Sequence, residues 1–207
     1  MMSLDTIHIA SAVEAARQSD VAILFCGSSS ASLARDYNET NCGEGFDLAD
    51  LALTGAQGKL IKAIHATGKP VILVLVTGKP FSIAWEKKHI PAILIQWYAG
   101  EQEGSSIANI LFGKTNPSGH LTVSFPQSSG HLPAYYNHLP TDRGFYHKPG
   151  SYEQPGRDYV FSSPGPLWAF GHGLTYTTFN YTDMQIQQSI DSIKAVSYTH
   201  LRAHETL

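Results

Sequence analysis

The feature that most constrains the fold of this 207-residue chain is an unbroken apolar run, Val71-Ile72-Leu73-Val74-Leu75-Val76. A strand with one face exposed to solvent alternates apolar and polar residues. A run without alternation therefore predicts a strand covered on both faces, as in a parallel sheet. Two further short apolar runs, Val21 to Cys26 and Ala92 to Trp97, have turn residues at one or both ends. The sequence thus predicts three buried strands.

Apolar residues between these runs recur at the spacing of helices. This periodicity predicts helices over about 9–18, 55–67 and 102–112, and a short helix or turn over 81–88. Thr54 is a plausible N-cap of the second helix, and Gly68 is a suitable residue to end it.

The order of these elements predicts a three-layer α/β/α sandwich with a mostly parallel, doubly wound sheet. Leu121 to Phe125 alternates apolar and polar residues, which predicts one more, half-buried strand. An irregular Pro/Gly/Tyr-rich segment follows from Gln127 to Phe170, and its tyrosines suit either sugar contacts or packing on the domain. Phe179 to Ile186 is predicted to begin another β element.

A long polar loop, Ser28 to Asp50, follows the first strand and carries Asn41-Cys42-Gly43-Glu44-Gly45-Phe46-Asp47. Long loops without secondary structure are usually functional or disordered. Glu44 lies between two glycines, which permit a sharp turn and leave its carboxylate uncrowded. In a parallel sheet the loops after the strands meet at one edge. We therefore expect a shared rim of Glu44, Lys79, Glu101 and Glu103; a solvated acidic loop is the simpler alternative.

Composition excludes several classes of function. The formal charge of −3, with scattered lysines and arginines, does not provide the basic patch that nucleic-acid binding requires. No apolar run reaches the roughly 18 residues of a membrane span, and no signal peptide is visible. Ten histidines show no metal-ligand spacing. Cys26 and Cys42 fit neither a zinc set nor a disulfide framework, although pairing across the loop stays open.

The C-terminal tail differs from the rest of the chain. Residues 197–206 resemble translated sequencing-adapter sequence and show no helix or strand pattern. We therefore expect that 196–207 is not natural protein and that the chain is truncated; an ordinary disordered tail is the alternative.

Five motifs occur in an order and spacing that resemble one family. They are Gly43-Glu44-Gly45-Phe46-Asp47, Ala66-Thr67-Gly68-Lys69-Pro70-Val71, Trp97-Tyr98-Ala99-Gly100-Glu101-Gln102-Glu103-Gly104, Asn116-Pro117-Ser118-Gly119-His120-Leu121 and Phe170-Gly171-His172-Gly173-Leu174-Thr175-Tyr176-Thr177-Thr178-Phe179. Together they resemble the C-terminal α/β-sandwich domain of glycoside hydrolase family 3. The resemblance implies that 1–178 is this domain and that 179–195 begins a truncated, fibronectin III-like β domain.

The resemblance implies a retaining, exo-acting β-glycosidase, with β-glucosidase first and β-xylosidase next. In that mechanism one carboxylate attacks the sugar, while a second carboxyl acts as acid and then as base. The family's nucleophile is an aspartate on an N-terminal (β/α)8 barrel that has no counterpart in this sequence. The family's acid/base glutamate corresponds to Glu44, with Glu39 as a rival. The chain alone is therefore expected to be inactive.

The same resemblance implies the remaining site and partners. Arg35, Asp36 and Asp47 are candidate substrate-binding residues, and Asp47 is alternatively a residue that holds the loop through local hydrogen bonds. The family often has arginine directly after this aspartate, where the present chain has Leu48. The implied partners are a β-linked oligosaccharide or aryl glycoside and the barrel domain, with no metal or organic cofactor. The implied location is periplasmic or extracellular.

Three other functions are alternatives to this one. The first is a non-catalytic carbohydrate-binding or scaffold module that uses the aromatic loops. The second, a cysteine hydrolase built on Cys26, is weak because no nucleophile-elbow sequence surrounds that residue. The third, nucleotide binding, is weak because neither a GxGxxG nor a Walker sequence follows any strand.

Overall fold

The computed structural model of this chain describes residues 6–30, 41–45, 47–137, 163, 165–188 and 193–202. The chain divides into two compact units. The larger comprises 1–103 and 121–172, and the smaller comprises 104–120 and 173–207. Each unit is described separately below.

The larger unit contains a three-stranded parallel sheet in the order β1-β2-β3. Its strands are Ala22–Gly27 (β1), Val71–Val76 (β2) and Ala92–Ile95 (β3). Their register pairs Ala22 with Val71 and Ile72 with Ala92. The predicted parallel sheet is therefore confirmed, and the strand predicted from the apolar run has the predicted bounds.

Three helices accompany this sheet: Ile9–Arg17 (α1), Gln57–His65 (α2) and Ala84–His89 (α3). Helix α2 lies against both α1 and β1. The prediction of Thr54 as its N-cap was wrong, because the cap position is Ala56 and no side chain caps it. The hydroxyl of Thr54 instead accepts a hydrogen bond from the Asn41 side chain at 3.2 Å.

The core of the larger unit is built mainly from α2, β2, the loop between β2 and α3, and the segment around Phe125. Each fully buried leucine, isoleucine or phenylalanine contributes on the order of 1.5–3 kcal/mol by leaving water. The largest such side chains are Ile61, Ile64, Leu73, Leu75, Phe81, Ile83 and Phe125.

Strand β1 is only half buried, which corrects the expectation of a fully buried strand. Ala22 and Cys26 are buried, whereas Ile23 is 38% exposed and Phe25 is 61% exposed. Among the described strands β1 pairs with β2 alone. An edge strand is covered less completely than a central one, so its alternate side chains stay open to solvent.

The predicted strand over Leu121 to Phe125 was also wrong. The segment forms a single antiparallel bridge, between Phe125 and Trp168. Its backbone pairs with 167–172 only near its two ends: Leu121 N–H donates to His172 O at 2.8 Å, and Phe125 N–H donates to Trp168 O at 2.8 Å. Val123 between them is exposed while Ser124 is buried, so the regular alternation of a strand is absent.

The smaller unit contains helix α4, Glu103–Leu111, apart from its first residue, and two further strands. The Asn116 side chain accepts a hydrogen bond from Tyr176 N–H at 2.7 Å and donates one to the Thr177 hydroxyl at 2.8 Å. The Tyr176 hydroxyl donates to Ile110 O at 2.8 Å. These contacts fix the end of α4 against the segment before the strands.

The strands of the smaller unit, Thr178–Gln188 (β4) and Ile193–Arg202 (β5), pair antiparallel. The predicted β element beginning near Phe179 is confirmed. The expectation that 197–206 lacks strand structure was wrong for 197–202, because β5 pairs Leu201 with Phe179 and Thr199 with Tyr181. The adapter origin of 196–207 and the domain limits given above stay predictions.

Candidate active site

The loops after the three parallel strands are joined by hydrogen bonds at the carboxyl edge of the sheet. Ser28, directly after β1, donates its N–H to Val76 O at 2.9 Å. The Tyr98 hydroxyl, from the loop after β3, donates to Ser28 O at 2.9 Å. The hydroxyls of Ser28 and Thr77 are 3.1 Å apart. One small polar cluster therefore ties together the loops of three strands.

The two ends of the long β1 loop are pinned to each other. Asn41 N–H and Cys42 N–H both donate to Ser29 O, at 3.0 and 3.2 Å. In return, Ser29 N–H donates to the Asn41 side-chain oxygen at 2.5 Å. The Asn41 amide also reaches Thr54. These bonds hold Asn41, which is three residues before Glu44, against the residues that directly follow β1.

Glu44 lies on the wall of an open pocket of about 470 Å³ at this edge. The glycines on either side have left-handed backbones, with φ of 86° at Gly43 and 77° at Gly45. This is the sharp turn that the sequence predicted, and it leaves the Glu44 carboxylate exposed. The pocket is lined by Ser30, Cys42, Gly43, Glu44, Gly78 and Tyr98.

Lys79 lies at the same edge but is buried, with 9% of its surface exposed. Its ammonium lies 5.1 Å from the centre of the Phe81 ring and has no hydrogen-bond partner among the described residues. Burial lowers the pKa of Lys79, and the nearby Cys42 and Asp50 side chains act in the opposite direction. Lys79 therefore lies at the predicted edge of the sheet, but its side chain is buried and not open to solvent.

The other predicted site residues fall outside the pocket or outside the described chain. Asp47 is exposed, and Glu101 follows β3. The described residues that line the pocket do not include Asp47, Glu101 or Glu103. Arg35, Asp36 and the rival acid Glu39 lie outside the described residues. The roles of Glu44 and of these residues therefore stay predictions.

Local hydrogen bonding in this loop involves Asp50, which the sequence analysis did not select. Its carboxylate accepts from Ala52 N–H at 3.0 Å and from the Ser129 hydroxyl at 3.2 Å. An aspartate that bonds the N–H two residues later is a common turn motif, so an Asp-x-Ala spacing was an available signal. The Tyr98–Ser28 contact was also missed, because no local pattern announces a contact between residues so distant in sequence.

The described residues contain neither a group of metal ligands nor a helix suited to a membrane. Within the described part of the chain, no group of three His, Cys, Asp or Glu side chains is placed to hold a metal ion. None of the described helices has the length and apolar character needed to cross a bilayer.

A parallel α/β sheet with a carboxylate-bearing pocket at its carboxyl edge is typical of ligand-binding α/β domains. The sequence profile of the glycosyl hydrolase family 3 C-terminal domain matches residues 5–176. The chain therefore belongs to this family. The motif-based resemblance is confirmed.

Relatives of known name agree with this assignment. A β-xylosidase from Formosa agariphila is 44% identical over 171 residues, covering 82% of this chain and 21% of the relative. A periplasmic β-glucosidase from Salmonella typhimurium is 40% identical over 176 residues, covering 84% of this chain and 21% of the relative. The chain thus spans about a fifth of the length of these curated relatives.

Solved structures agree on the fold. A β-glucosidase from Erythrobacter marinus superimposes with a TM-score of 0.71 and 39% identity, covering 87% of this chain and 22% of that one. A β-glucosidase from Listeria innocua gives a TM-score of 0.74 with 30% identity, covering 88% of this chain and 24% of the other. The predicted α/β fold class is confirmed.

Proposed function

We propose that this domain supplies the acid/base carboxyl of a retaining, exo-acting β-glycosidase, and that Glu44 is that carboxyl. The observation that carries the proposal is the position of Glu44, held by two left-handed glycines on the wall of a pocket at the carboxyl edge of the sheet. The names of the relatives, β-glucosidase and β-xylosidase, support this class of reaction. β-Glucosidase is the first candidate activity and β-xylosidase the second.

The chemistry requires two carboxyl groups about 5–5.5 Å apart in the assembled enzyme. Glu44 protonates the leaving oxygen while an aspartate of a (β/α)8 barrel domain attacks the anomeric carbon. Glu44 then takes a proton from the water that releases the sugar. Acid catalysis near neutral pH requires a carboxyl in shielded surroundings. Because Glu44 is exposed in this domain, we infer that the barrel closes over the pocket and that the sugar binds between the two.

The substrate we propose is a β-linked oligosaccharide or aryl glycoside, cleaved at its non-reducing end. Arg35, Asp36 and Asp47 are proposed to contact sugar hydroxyls, and Glu39 is the rival acid. We assign the enzyme to the periplasm or the extracellular space, a proposal that the periplasmic relative supports.

The test combines the purified domain with a family 3 barrel domain added in trans. Alone, the folded domain should not hydrolyse nitrophenyl β-glucoside or β-xyloside, whereas the mixture should. Glu44→Gln should abolish steady-state turnover. A dinitrophenyl glycoside, whose leaving group needs little protonation, should still release a burst of about one dinitrophenolate per site, because only the hydrolysis of the glycosyl-enzyme then lacks its base. Azide should then restore turnover by forming a glycosyl azide, since azide needs no general base. If turnover were lost and then rescued by azide in Glu39→Gln rather than in Glu44→Gln, Glu39 would be the acid/base residue.

One observation favours the alternative of a non-catalytic carbohydrate-binding module. Tyr136 stacks on Phe170 with ring centres 4.6 Å apart, and both rings stay exposed. Exposed aromatic faces suit the apolar faces of sugars. Cello-oligosaccharide binding that Tyr136→Ala abolishes, together with no turnover in any mixture with a barrel, would favour this function over catalysis.

A further inference from the structure

Tyr98 is the one aromatic side chain among the described residues that line the pocket of Glu44. The remaining described lining consists of a serine, a cysteine, two glycines and Glu44 itself. Tyr98 is half-buried, so part of its surface is open to solvent. Its ring is therefore the main apolar surface that this wall offers to a ligand.

The ring of Tyr98 is held in place before any ligand arrives. Its hydroxyl donates to Ser28 O at 2.9 Å and lies 3.3 Å from the Ser28 hydroxyl. One edge of the ring lies against Gly78. Because the hydroxyl hydrogen is used in holding the ring, what Tyr98 offers to a ligand is the ring surface. A side chain that is already ordered loses little entropy when a ligand packs on it.

The residue before Tyr98 has an unusual backbone. Trp97 has φ of 58°, in the left-handed region that bulky residues rarely adopt. Its ring packs against the core, with its centre 6.2 Å from that of Phe125. The chain therefore turns sharply between a ring on the core and a ring on the pocket wall. Costly backbone conformations of this kind are concentrated at ligand-binding sites.

We propose that Tyr98 determines specificity for the leaving group, which packs on its ring while Glu44 protonates the leaving oxygen. The role in cleavage rests on the proposed function, whereas binding of a ring-shaped ligand at Tyr98 does not. Aromatic faces pack well on other rings. The site therefore accepts leaving groups that contain a ring, a phenol or a sugar, in preference to a short alkyl alcohol. The pocket, at about 470 Å³, has the volume of a small-molecule site.

The experiment measures ligand binding to the full chain by saturation-transfer NMR. Phenyl β-glucoside is the ligand, and methyl β-glucoside, which has the same sugar without a ring-shaped leaving group, is the reference. The phenyl protons should receive the strongest saturation, with a dissociation constant on the order of 10 mM. Methyl β-glucoside should bind about threefold to tenfold more weakly.

Substitutions at Tyr98 separate the ring from its hydroxyl. Tyr98→Leu, which stays apolar but has no flat ring, should weaken binding of phenyl β-glucoside about threefold to tenfold and leave methyl β-glucoside nearly unchanged. Tyr98→Phe keeps the ring and loses the bond to Ser28, so it should bind nearly as the natural chain does. The matched control is Tyr136→Leu, which removes an exposed ring that does not line the pocket. Circular dichroism confirms that each variant is folded.

Three results would overturn the proposal: no saturation of the ligand by the folded natural chain, equal affinity for the two glucosides, or loss of phenyl binding in Tyr136→Leu. The second comparison needs only the natural chain, so it holds even if Tyr98→Leu does not fold. Because the readout is binding, it is separate from the turnover assay of Glu44→Gln. Phenyl binding that depends on Tyr98, together with no turnover in any mixture with a barrel, would keep the ring-binding site and refute its role in glycoside cleavage.

Discussion

The ring of Tyr98 lies so close to Gly78 that a Cβ placed on Gly78 would be 2.8 Å from Tyr98 Cε2. The loop after β2 therefore passes the loop after β3 at a distance that only glycine permits. The Tyr98 hydroxyl is at the same time bonded to Ser28 O, so the ring is held from both ends. This contact joins two walls of the pocket that contains Glu44.

Gly78→Ala is expected to lower the free energy of unfolding by about 1–3 kcal/mol, because the added methyl group displaces the Tyr98 ring. The cost should be smaller when the same change is made in a Tyr98→Ala background. Urea unfolding of the four chains measures this coupling. Gly58→Ala, in helix α2 with open space around it, is the matched control and should be neutral or slightly stabilising. If Gly78→Ala lowered the free energy of unfolding equally in both backgrounds, contact with the Tyr98 ring would not be the reason that this position requires glycine.

Asn41→Ala is expected to destabilise the chain by about 1–3 kcal/mol, because it leaves the partly buried Ser29 N–H without its acceptor. Asn41→Asp keeps an acceptor oxygen and loses only the donor to Thr54, so it should cost less. Thermal and urea unfolding provide the measurement, with the exposed Asn137→Ala as control. If Asn41→Ala matched that control, the side chain would not be anchoring the loop.

Stability is expected to fall above about pH 9 through Cys26. The ordinary pKa of 9.0 applies to the unfolded chain and about 11 to the folded one. The contribution of the protonated thiol is therefore complete below pH 9 and is lost as pH rises toward 11. From about pH 8 to pH 10 the change is about 1 kcal/mol.

The check is urea unfolding of the natural chain and of Cys26→Ala at both pH values. The loss on going to high pH should be about 1 kcal/mol smaller in the variant, because it has no thiol to ionise when unfolded. Leu24→Ala, which shortens a non-titrating neighbour on β1, should lower stability equally at both pH values. A pH dependence unchanged by Cys26→Ala would assign the loss to other groups.

The sequence predicted the parts of this fold that burial dictates. Val71–Val76 was found with its full bounds, since a strand enclosed by protein shows its limits as an apolar run. The half-exposed β1 could not be recognised as such, because Ile23 and Phe25 are apolar yet partly open to solvent. The failure at Leu121 to Phe125 has a related cause. Alternating apolar and polar residues suit a half-buried strand. They do not show whether another strand pairs with the segment along its whole length.

The candidate site was predicted where its signal is local and missed where it is not. Glycines on either side of Glu44 predicted the turn, and the turn is present. The enclosure of Lys79 was missed, because a lysine in a polar loop is usually solvated. The Tyr98–Ser28 bond joins loops that are far apart in sequence, and no spacing rule connects them.

The hydrogen bonds between Ser29 and Asn41 have a consequence for changes in loop length. They join residues that are 12 positions apart, and Cys42 to Gly45 follow directly after the closed end. The entropic cost of closing a flexible loop rises slowly with its length, by about 0.6 kcal/mol for each doubling. A chain with several residues inserted between these two positions is therefore expected to keep the same closure at little cost in stability.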